Sequence, residues 1–335
     1  MFQHREIVAD TDARYYPCFD YLRAVAALGV FVAHADRSQL VPSELGNASV
    51  QLFFALSGFL IGGILLRSER KDLPRFYFNR AARIWIPYAI AIVILAAATW
   101  VKQGFSDPKT REFFFYMVTF VYNWFGPPQL AEFRSRMPLD GTANHFWSIC
   151  VEEQFYLVAP FLILYLPRAF LFAGLAAATW LSPDFFASIS LGVALAVTRP
   201  KGWVVGVCAV VGIVVAFTGP YIAAAAFIST AIVGALARLP GKQAPFGKIA
   251  GGASYPFYLN HWIGLFGINA ALKVGAPYWA AWSAGLAIAI AISVAHYLTV
   301  DRIIAAKRGA WFSQRAGILL CVLAFSLVAI GTIKR

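Results

Sequence analysis

The sequence predicts an all-α membrane protein, a polytopic bundle of about ten or eleven transmembrane helices. Three observations lead to this class. The 335 residues are 60% hydrophobic and only 13% charged, whereas a soluble domain is nearer half apolar and a quarter charged. Apolar runs of helix length recur along the chain, and most cations lie in the short segments between them. The alternating segments of a membrane β-barrel are missing from the sequence.

The net charge of +12 does not indicate a nucleic-acid partner. The cations lie in short loops beside apolar runs, where they set the topology and contact anionic lipid headgroups. The cysteines lack the spacing of metal ligands, so we interpret them as packing residues and expect neither a metal nor a disulfide framework. They are Cys18, Cys150, Cys208 and Cys321.

Apolar runs long enough, or nearly long enough, to cross a bilayer occur throughout the chain; a crossing takes about 20 residues. Residues 1–17 are polar, lack a cleavable signal peptide and are expected to form a cytoplasmic tail. Residues 18–311 are predicted to form one transmembrane domain, and 312–335 an additional C-terminal transmembrane helix. The predicted spans are 20–35, 50–66, 84–101, 147–166, 169–182, 185–198, 202–218, 220–237, 249–270, 277–299 and 312–333.

The charges of the loops orient the predicted helices. The loop 67–83 carries six cations and is therefore expected on the cytoplasmic side, together with the N-terminus. The aromatic run 113–126 is short for a span, and whether it crosses decides which side the later cationic loops reach. If it does not cross, those loops are cytoplasmic too. We predict that it is an interfacial or re-entrant segment, which gives eleven spans and an external C-terminus.

The first span, Asp20–Ala35, holds a cation near its start and an imidazole near its end. Arg23 and His34 share a face on a helix and lie ~16 Å apart along its axis. Ionisable groups in an apolar span are unfavourable unless they face partners or water, which makes both residues candidates for a functional site. The alternative is that Arg23 reaches a lipid headgroup and His34 lies at the opposite interface.

The second span contains the small residues of LFFALSGFLIGG, at 52–63. Ser57–Gly58 and Gly62–Gly63 allow another helix or a ligand to approach the backbone closely. Of these two explanations, helix packing is the one that we favour for the glycines.

The third span begins with two arginines, in FYFNRAARIWIP at 76–87. Arg80 and Arg83 are three residues apart and share a helix face at the cytoplasmic mouth of the span. Two guanidinium groups in that position are suited to holding a phosphate through paired hydrogen bonds. The alternative is topological anchoring, which explains the other cations of the same loop.

Two adjacent carboxylates stand near the start of another span, in HFWSICVEEQFYL at 145–157. Burying Glu152 and Glu153 in an apolar helix without partners would be strongly unfavourable. The helix itself supplies Ser148 one turn before Glu152 and Tyr156 one turn after it. The pair is therefore either part of an acid–base site or the centre of a structural polar network.

One further imidazole lies inside a predicted span, in SYPFYLNHW at 254–262. His261 is either a member of the site or a core histidine with satisfied hydrogen bonds. By depth, we expect His34, the two glutamates and His261 toward the outer side, in one hollow above the cytoplasmic arginine pair.

Five segments in this order resemble the membrane acyltransferase-3 family: R-x10-H, LFFALSGFLI, FYFNRAARI, FWSICVEEQFYL and SYPFYLNHW. The resemblance covers roughly 15–300. It implies an enzyme of the bacterial inner membrane that O-acylates sugars, such as those of surface polysaccharides or glycolipids. The implied donor is acyl-CoA, usually acetyl-CoA, entering from the cytoplasm. Cys150 stands where Ser or Ala is common, and Asn260 where Trp often precedes the histidine.

The resemblance also suggests a role for each candidate residue. Histidine suits a general base near neutral pH, and His34 is expected to activate the sugar hydroxyl. Glu152 or Glu153 would orient that imidazole, as the third member of a hydrolase triad does. Arg23 is assigned to the thioester end or to a carboxylate partner, and a covalent acyl-His34 intermediate stays open. The phosphates of CoA are expected at Arg80 and Arg83, and the remaining substrate contacts at Trp147, Ser148, Tyr156 and His261.

Two other classes of function are open to this sequence. Buried histidine and glutamate also occur as proton relays, so a proton-coupled transporter or flippase of a glycan intermediate is the alternative. Such a protein predicts inverted repeats, and we find none in the sequence. A structural membrane subunit would not need a cytoplasmic arginine pair beside an intramembrane acid–base group.

Overall fold

The computed structural model describes residues 15–36, 40–42, 44–242 and 244–333. Every regular element in these ranges is a helix, which confirms the predicted all-α class. The first half of the chain forms α1 Pro17–Ala35, α2 Leu45–Leu65, α3 Leu73–Gln103, α4 Pro108–Val118, α5 Tyr122–Phe125, α6 Leu130–Phe133 and α7 Trp147–Tyr165. The second half forms α8 Arg168–Leu181, α9 Pro183–Thr198, α10 Gly202–Thr218, α11 Tyr221–Leu236, α12 Pro245–Lys273, α13 Tyr278–His296, α14 Arg302–Trp311 and α15 Gln314–Ile333.

Six helical stretches within the described ranges are long and apolar enough to cross a membrane, which together with the predicted class makes this an integral membrane protein. Helices α8 to α11 are equally apolar but have only 14 to 17 residues. At 1.5 Å per residue they are somewhat shorter than the ~30 Å apolar layer of a bilayer. Each of the eleven predicted spans coincides with a helix. The six stretches are Pro17–Ala35, Leu45–Leu65, Arg70–Gln103, Asn144–Tyr165, Tyr278–Trp311 and Gln314–Ile333.

Glycines allow α2 and α9 to pack with their backbones in contact. A Cβ atom on Gly58 would lie 2.1 Å from the carbonyl oxygen of Ile189, and one on Gly192 would lie 2.3 Å from that of Ala55. No side chain fits at either position without moving the partner helix. Close helix packing therefore explains Gly58 of the second span.

Helix α3 carries a polar cap, which we define as residues 104–146. With 31 residues, α3 is ~46 Å long, so it is longer than a bilayer crossing requires. Its last turn holds the cap, because Gln103 donates to the Met137 carbonyl at 3.3 Å and Lys102 forms an ion pair with Asp140. Inside the cap, the Arg136 guanidinium binds both carboxylate oxygens of Asp107 at 2.7 Å.

The aromatic run 113–126 enters the helix bundle and turns back. Tyr88 on α3 donates to the Met117 carbonyl at 3.2 Å, and Gln154 on α7 donates to the Phe120 carbonyl at 2.7 Å. Phe120 has a positive φ of 56°, which is the left-handed conformation of a tight turn. After this turn the chain runs back toward the rest of the cap, where the Tyr122 hydroxyl donates to the Asn144 side chain at 3.2 Å. This path supports the re-entrant interpretation of the run.

Candidate active site

Two cavities lie along the same four helices, α1, α2, α7 and α12. The first, here called the histidine cavity, has a volume of about 570 Å³ and is lined by His34, His145, Trp147 and Tyr258 together with residues of the cap. The second, the arginine cavity, has about 190 Å³. Its polar lining is formed by Arg23, Arg80, Arg83, Glu152 and Tyr156.

His34, which lines the histidine cavity, is paired with His261, which is fully buried. Nδ1 of His34 lies 3.1 Å from Nε2 of His261, and the planes of the two rings are nearly parallel, with 14° between them. On its other side, Nδ1 of His261 lies 2.8 Å from the Tyr258 carbonyl oxygen. Residues 227 positions apart in the sequence are thus joined in one short chain of hydrogen bonds.

This chain of hydrogen bonds assigns the tautomers of both rings. A carbonyl oxygen only accepts, so Nδ1 of His261 carries the proton that bonds to Tyr258. In the neutral ring, Nε2 of His261 then has a lone pair and accepts the Nδ1–H of His34. The lone pair of His34 is left on Nε2. His34 therefore has the protonation state of a general base.

A third histidine, His145, belongs to the same cluster and was missed in the sequence. Its ring centroid lies 4.4 Å from that of His261, and only 4% of the residue is exposed. Its Nε2 lies 3.4 Å from the Leu259 carbonyl, whereas its buried Nδ1 has no partner among the described residues. The sequence contains a signal for it, because His145 is the first residue of the motif that contains the two glutamates.

An aromatic pair separates the two cavities. The Phe53 ring, which lines the arginine cavity, meets the Tyr258 ring edge to face at 5.8 Å, and Tyr258 lines the histidine cavity. The Tyr258 hydroxyl is held by Ser148 at 2.5 Å and donates to the His145 carbonyl at 3.0 Å. Ser148 thus contacts this ring, and its predicted contact with substrate stays a prediction.

The arginine cavity combines three guanidinium groups with one carboxylate, that of Glu152. Arg23 is partly satisfied by Asp20, at 3.4 Å, which is the carboxylate partner that the sequence left open. Arg83 is exposed, and the buried Nε of Arg80 has no partner among the described residues. An excess of positive charge in a confined space is an electrostatic site for an anion.

The two glutamates point to different neighbours, and neither hydrogen-bonds to His34. Glu152 accepts from the Tyr156 hydroxyl at 3.1 Å, which is itself 2.7 Å from the Ser57 hydroxyl. Glu153 accepts from the Trp85 indole at 2.6 Å, and its other oxygen is buried without a partner among the described residues.

The prediction that a glutamate orients His34 is therefore wrong, because His261 takes that position. The physical reason is helix rise. Trp147 lines the histidine cavity, and Glu152 lies five residues, or ~7.5 Å, further along α7. The predicted single hollow is likewise two cavities, with Tyr156 in the arginine cavity and His261 beside His34. Within the described ranges, no three His, Cys, Asp or Glu residues are placed to hold a metal ion.

Comparison with known proteins agrees with these motifs. The model of the acyltransferase-3 domain family matches residues 16–197, which is more than half of the chain. An O-acetyltransferase OatA of Staphylococcus aureus is 29% identical over 161 residues, 47% of this chain and 26% of the relative. A putative O-acetyltransferase of the same species is 30% identical over 159 residues, 45% of this chain and 25% of the relative.

The extent of these matches is limited. The chain spans about a quarter of the length of these curated relatives. No solved structure matches it. The family match includes His34, both cavity arginines of α3 and both glutamates, but it ends before α12 and His261. On the family match, the chain belongs to the acyltransferase-3 family.

Proposed function

We propose that this protein is an O-acetyltransferase that moves an acetyl group from acetyl-CoA to a hydroxyl group of a carbohydrate. One observation carries the proposal: an imidazole nitrogen with an available lone pair lines one cavity, and a cluster of cations lines a second cavity along the same helices. The names of the relatives, which are O-acetyltransferases, support the same reaction.

The arginine cavity is the proposed site of the donor. Acetyl-CoA is a polyanion, and Arg80 and Arg83 can bind its phosphates through bidentate hydrogen bonds. Arg23 adds a third positive charge to the same cavity. Binding energy at the nucleotide end then holds the thioester in place for attack, although those contacts are remote from the reacting atoms.

The histidine cavity is the proposed site of the acceptor. Nε2 of His34 takes the proton of the sugar hydroxyl as its oxygen attacks the thioester carbonyl carbon. The tetrahedral intermediate collapses by breaking the carbon–sulfur bond, and the protonated His34 returns the proton to the departing sulfur. His261 accepts the Nδ1–H of His34 throughout and stabilises the imidazolium that forms transiently.

The acetyl group has to pass from one cavity to the other. Since Phe53 and Tyr258 lie between them, we propose that these rings part to admit the end of the donor. The closed pair would keep water from reaching the thioester in the absence of acceptor.

The topology completes the proposal. We assign the arginine end to the cytoplasm, where acyl-CoA is available, because of the cationic loop 67–83. The cap and the histidine cavity then face the opposite side of a bacterial inner membrane. Residues 18–311 would form the catalytic domain, and 312–335 an added helix.

The test uses the purified full-length chain in lipid nanodiscs with acetyl-CoA and a mixed pool of cell-surface glycans. We expect free thiol to appear together with glycans that are one acetyl group heavier, in equal amounts. A transporter or flippase, the alternative from the sequence, would leave acetyl-CoA intact. Intact acetyl-CoA with every glycan fraction would contradict the proposed function.

A further inference from the structure

We propose that the acceptor is an anionic carbohydrate whose carboxylate or phosphate group is bound by Arg134. The inference rests on the proposed function, since it takes the histidine cavity as the acceptor site. Arg134 lies in the cap and lines this cavity together with His34. Among the described residues that line it, Arg134 is the one permanently charged side chain, and there is no Asp or Glu.

Arg134 is uncommitted, unlike the other cations around it. Lys102 pairs with Asp140, Lys109 pairs with Glu112 at 3.0 Å, and Arg136 pairs with Asp107 at 2.7 Å. The carboxylates of Asp140, Glu112 and Asp107 are thus already paired with other cations, and the described residues include no ion pair of Arg134.

The one side-chain hydrogen bond of Arg134 within the described ranges involves Nε and not the two terminal nitrogens. Nε donates to the backbone carbonyl of Asp140 at 3.4 Å. The two terminal nitrogens have no acceptor among the described residues. A guanidinium held in this way presents the planar pair of donors that matches a carboxylate or a phosphate.

The rest of the lining suits the neutral part of a sugar. Trp147 is among the lining residues, and an indole provides apolar surface of the kind against which sugar rings pack. Asn47 accepts from Gln51 at 3.2 Å and Asn144 accepts from Tyr122 at 3.2 Å, both through the side-chain oxygen. Their NH2 groups have no acceptor among the described residues, so they are available to hydroxyl groups of a ligand. The volume of about 570 Å³ is large enough for a small oligosaccharide.

The experiment measures sugar binding directly and needs no knowledge of the natural acceptor. Galactose, galacturonate and galactose 6-phosphate share one ring and differ at C6. Their dissociation constants are measured by saturation-transfer NMR with the full chain in phosphatidylcholine nanodiscs. We expect at least one charged sugar to bind about tenfold tighter than galactose, as a charge-assisted bidentate contact implies. Which of the two binds tighter distinguishes a carboxylate from a phosphate.

The variants assign this preference to one residue. Arg134→Ala should bind all three sugars equally weakly, and Arg134→Lys should keep part of the preference because the charge remains. Arg111→Ala is the matched control, because Arg111 is an exposed cation of the same cap that lines neither the histidine cavity nor the arginine cavity. Its guanidinium donates to the backbone carbonyls of Phe105 and Ser106, so the Arg136–Asp107 ion pair stays intact in this variant. That variant should keep the full preference.

Four results would overturn the inference: equal binding of all three sugars, no binding of either charged sugar, a preference that survives Arg134→Ala, or an equal loss of the preference in Arg111→Ala. Thiol release from acetyl-CoA is followed in the same samples. A failure of thiol release contradicts the proposed function, whereas a failure of sugar selectivity with thiol release intact contradicts this inference alone.

Discussion

At the scale of single residues, the chemistry depends on which nitrogen of His34 holds a proton. The Tyr258 carbonyl settles this through His261, so a backbone group outside the family match sets the tautomer of a residue inside it. In the proposed mechanism His261 is a positioning residue, and its effect should be seen in turnover rather than in donor binding.

Replacing His261 tests this role. We expect His261→Ala to lower kcat about 10- to 100-fold, because His34 loses the acceptor that fixes its Nδ1–H, while the KM for acetyl-CoA stays unchanged. His261→Gln should recover part of the rate, since its side-chain oxygen can accept the same hydrogen bond. A raised donor KM, or no recovery by glutamine, would indicate a packing role instead.

The donor site is tested at the arginine pair. Arg80→Ala combined with Arg83→Ala should raise the KM for acetyl-CoA at least about tenfold, since phosphate contacts of this kind are charge-assisted. Arg75→Ala is the control, because Arg75 lies on the same helix, is exposed and stacks on Phe312 at 5.7 Å. Kinetics at fixed acceptor concentration separate the two, and an unchanged donor KM in the double variant would refute the donor site.

Individual residues also show which features of the candidate site could be predicted from the sequence and which could not. Arg23, Arg80, Arg83 and His34 were identified because a charged or polar group in an apolar run is visible locally. The pairing of His34 with His261 was not, because it depends on the register between α1 and α12, which no spacing within one helix encodes. His145 was overlooked because it precedes the predicted span.

At the scale of helices, α2 and α9 show how a small residue fixes a distance. A Cβ on Gly58 meets the backbone of Ile189, whereas a Cβ on Gly63 meets only the flexible end of Arg67 at 3.6 Å. The two glycines lie on one helix and differ in what faces them.

This difference gives a matched pair of variants. Gly58→Ala should destabilise the protein by about 1–3 kcal/mol through overpacking. Gly63→Ala should have little effect or be slightly stabilising, because alanine favours the helix. Thermal unfolding in detergent compares the two, and equal midpoints would argue against the close α2–α9 contact.

The contribution of the Asp107 carboxylate to the stability of the cap can be tested by changing the pH. Hydrogen bonds from Arg136 and from the Lys109 backbone lower the pKa of the Asp107 carboxyl to about 2. The ionised form is thus favoured in the folded cap. Its stabilising effect is complete above the unfolded pKa of ~3.9 and is lost as the pH falls toward about 2.

We therefore expect the cap to loosen between about pH 4 and pH 2. The measurement is amide hydrogen exchange in peptides from 104–146, corrected for the intrinsic pH dependence of exchange. In Asp107→Asn the cap should exchange faster at pH 5 and show no further step in acid. The same acid step in both proteins would show that another group controls the cap.

The elements themselves were largely predictable, since hydropathy is a local property. Each predicted span coincides with a helix. Helix α2 begins at Leu45 rather than at residue 50, because its first turn includes the less apolar residues Gly46 and Asn47, which hydropathy leaves outside the span. The path of the short run 113–126 supports the re-entrant prediction, which was made from the charges of later loops. Its turn at Phe120, supported by Gln154, depends on tertiary contacts that composition does not reveal.

At the scale of the whole molecule, the proposed mechanism uses two cavities, one for the donor and one for the acceptor, with the Phe53 and Tyr258 rings between them. Helices α1 and α3 bring the cations to the arginine cavity, and α1 also brings His34 to the histidine cavity at its other end. Sequence order along each helix predicted these ends. It did not predict the division at Phe53 and Tyr258, because the two rings come from helices that are distant in the chain.

Changing the size of the Phe53 side chain tests the passage. Phe53→Trp should narrow it and lower kcat about tenfold or more at unchanged acetyl-CoA affinity, since only the approach of the thioester is impaired. Phe53→Leu should widen it and increase the hydrolysis of acetyl-CoA without acceptor, because water is less well excluded. Equal kcat and equal hydrolysis in both variants would place the path of the acetyl group elsewhere.

The central claim is that His34 activates the acceptor while the donor is bound by a separate cavity. Its most direct test is a single turnover with radiolabelled acetyl-CoA, comparing the unaltered protein with His34→Ala and measuring donor binding in the same samples. The account predicts that His34→Ala binds acetyl-CoA normally and transfers no label to carbohydrate. Transfer of label by His34→Ala at the normal rate would contradict it.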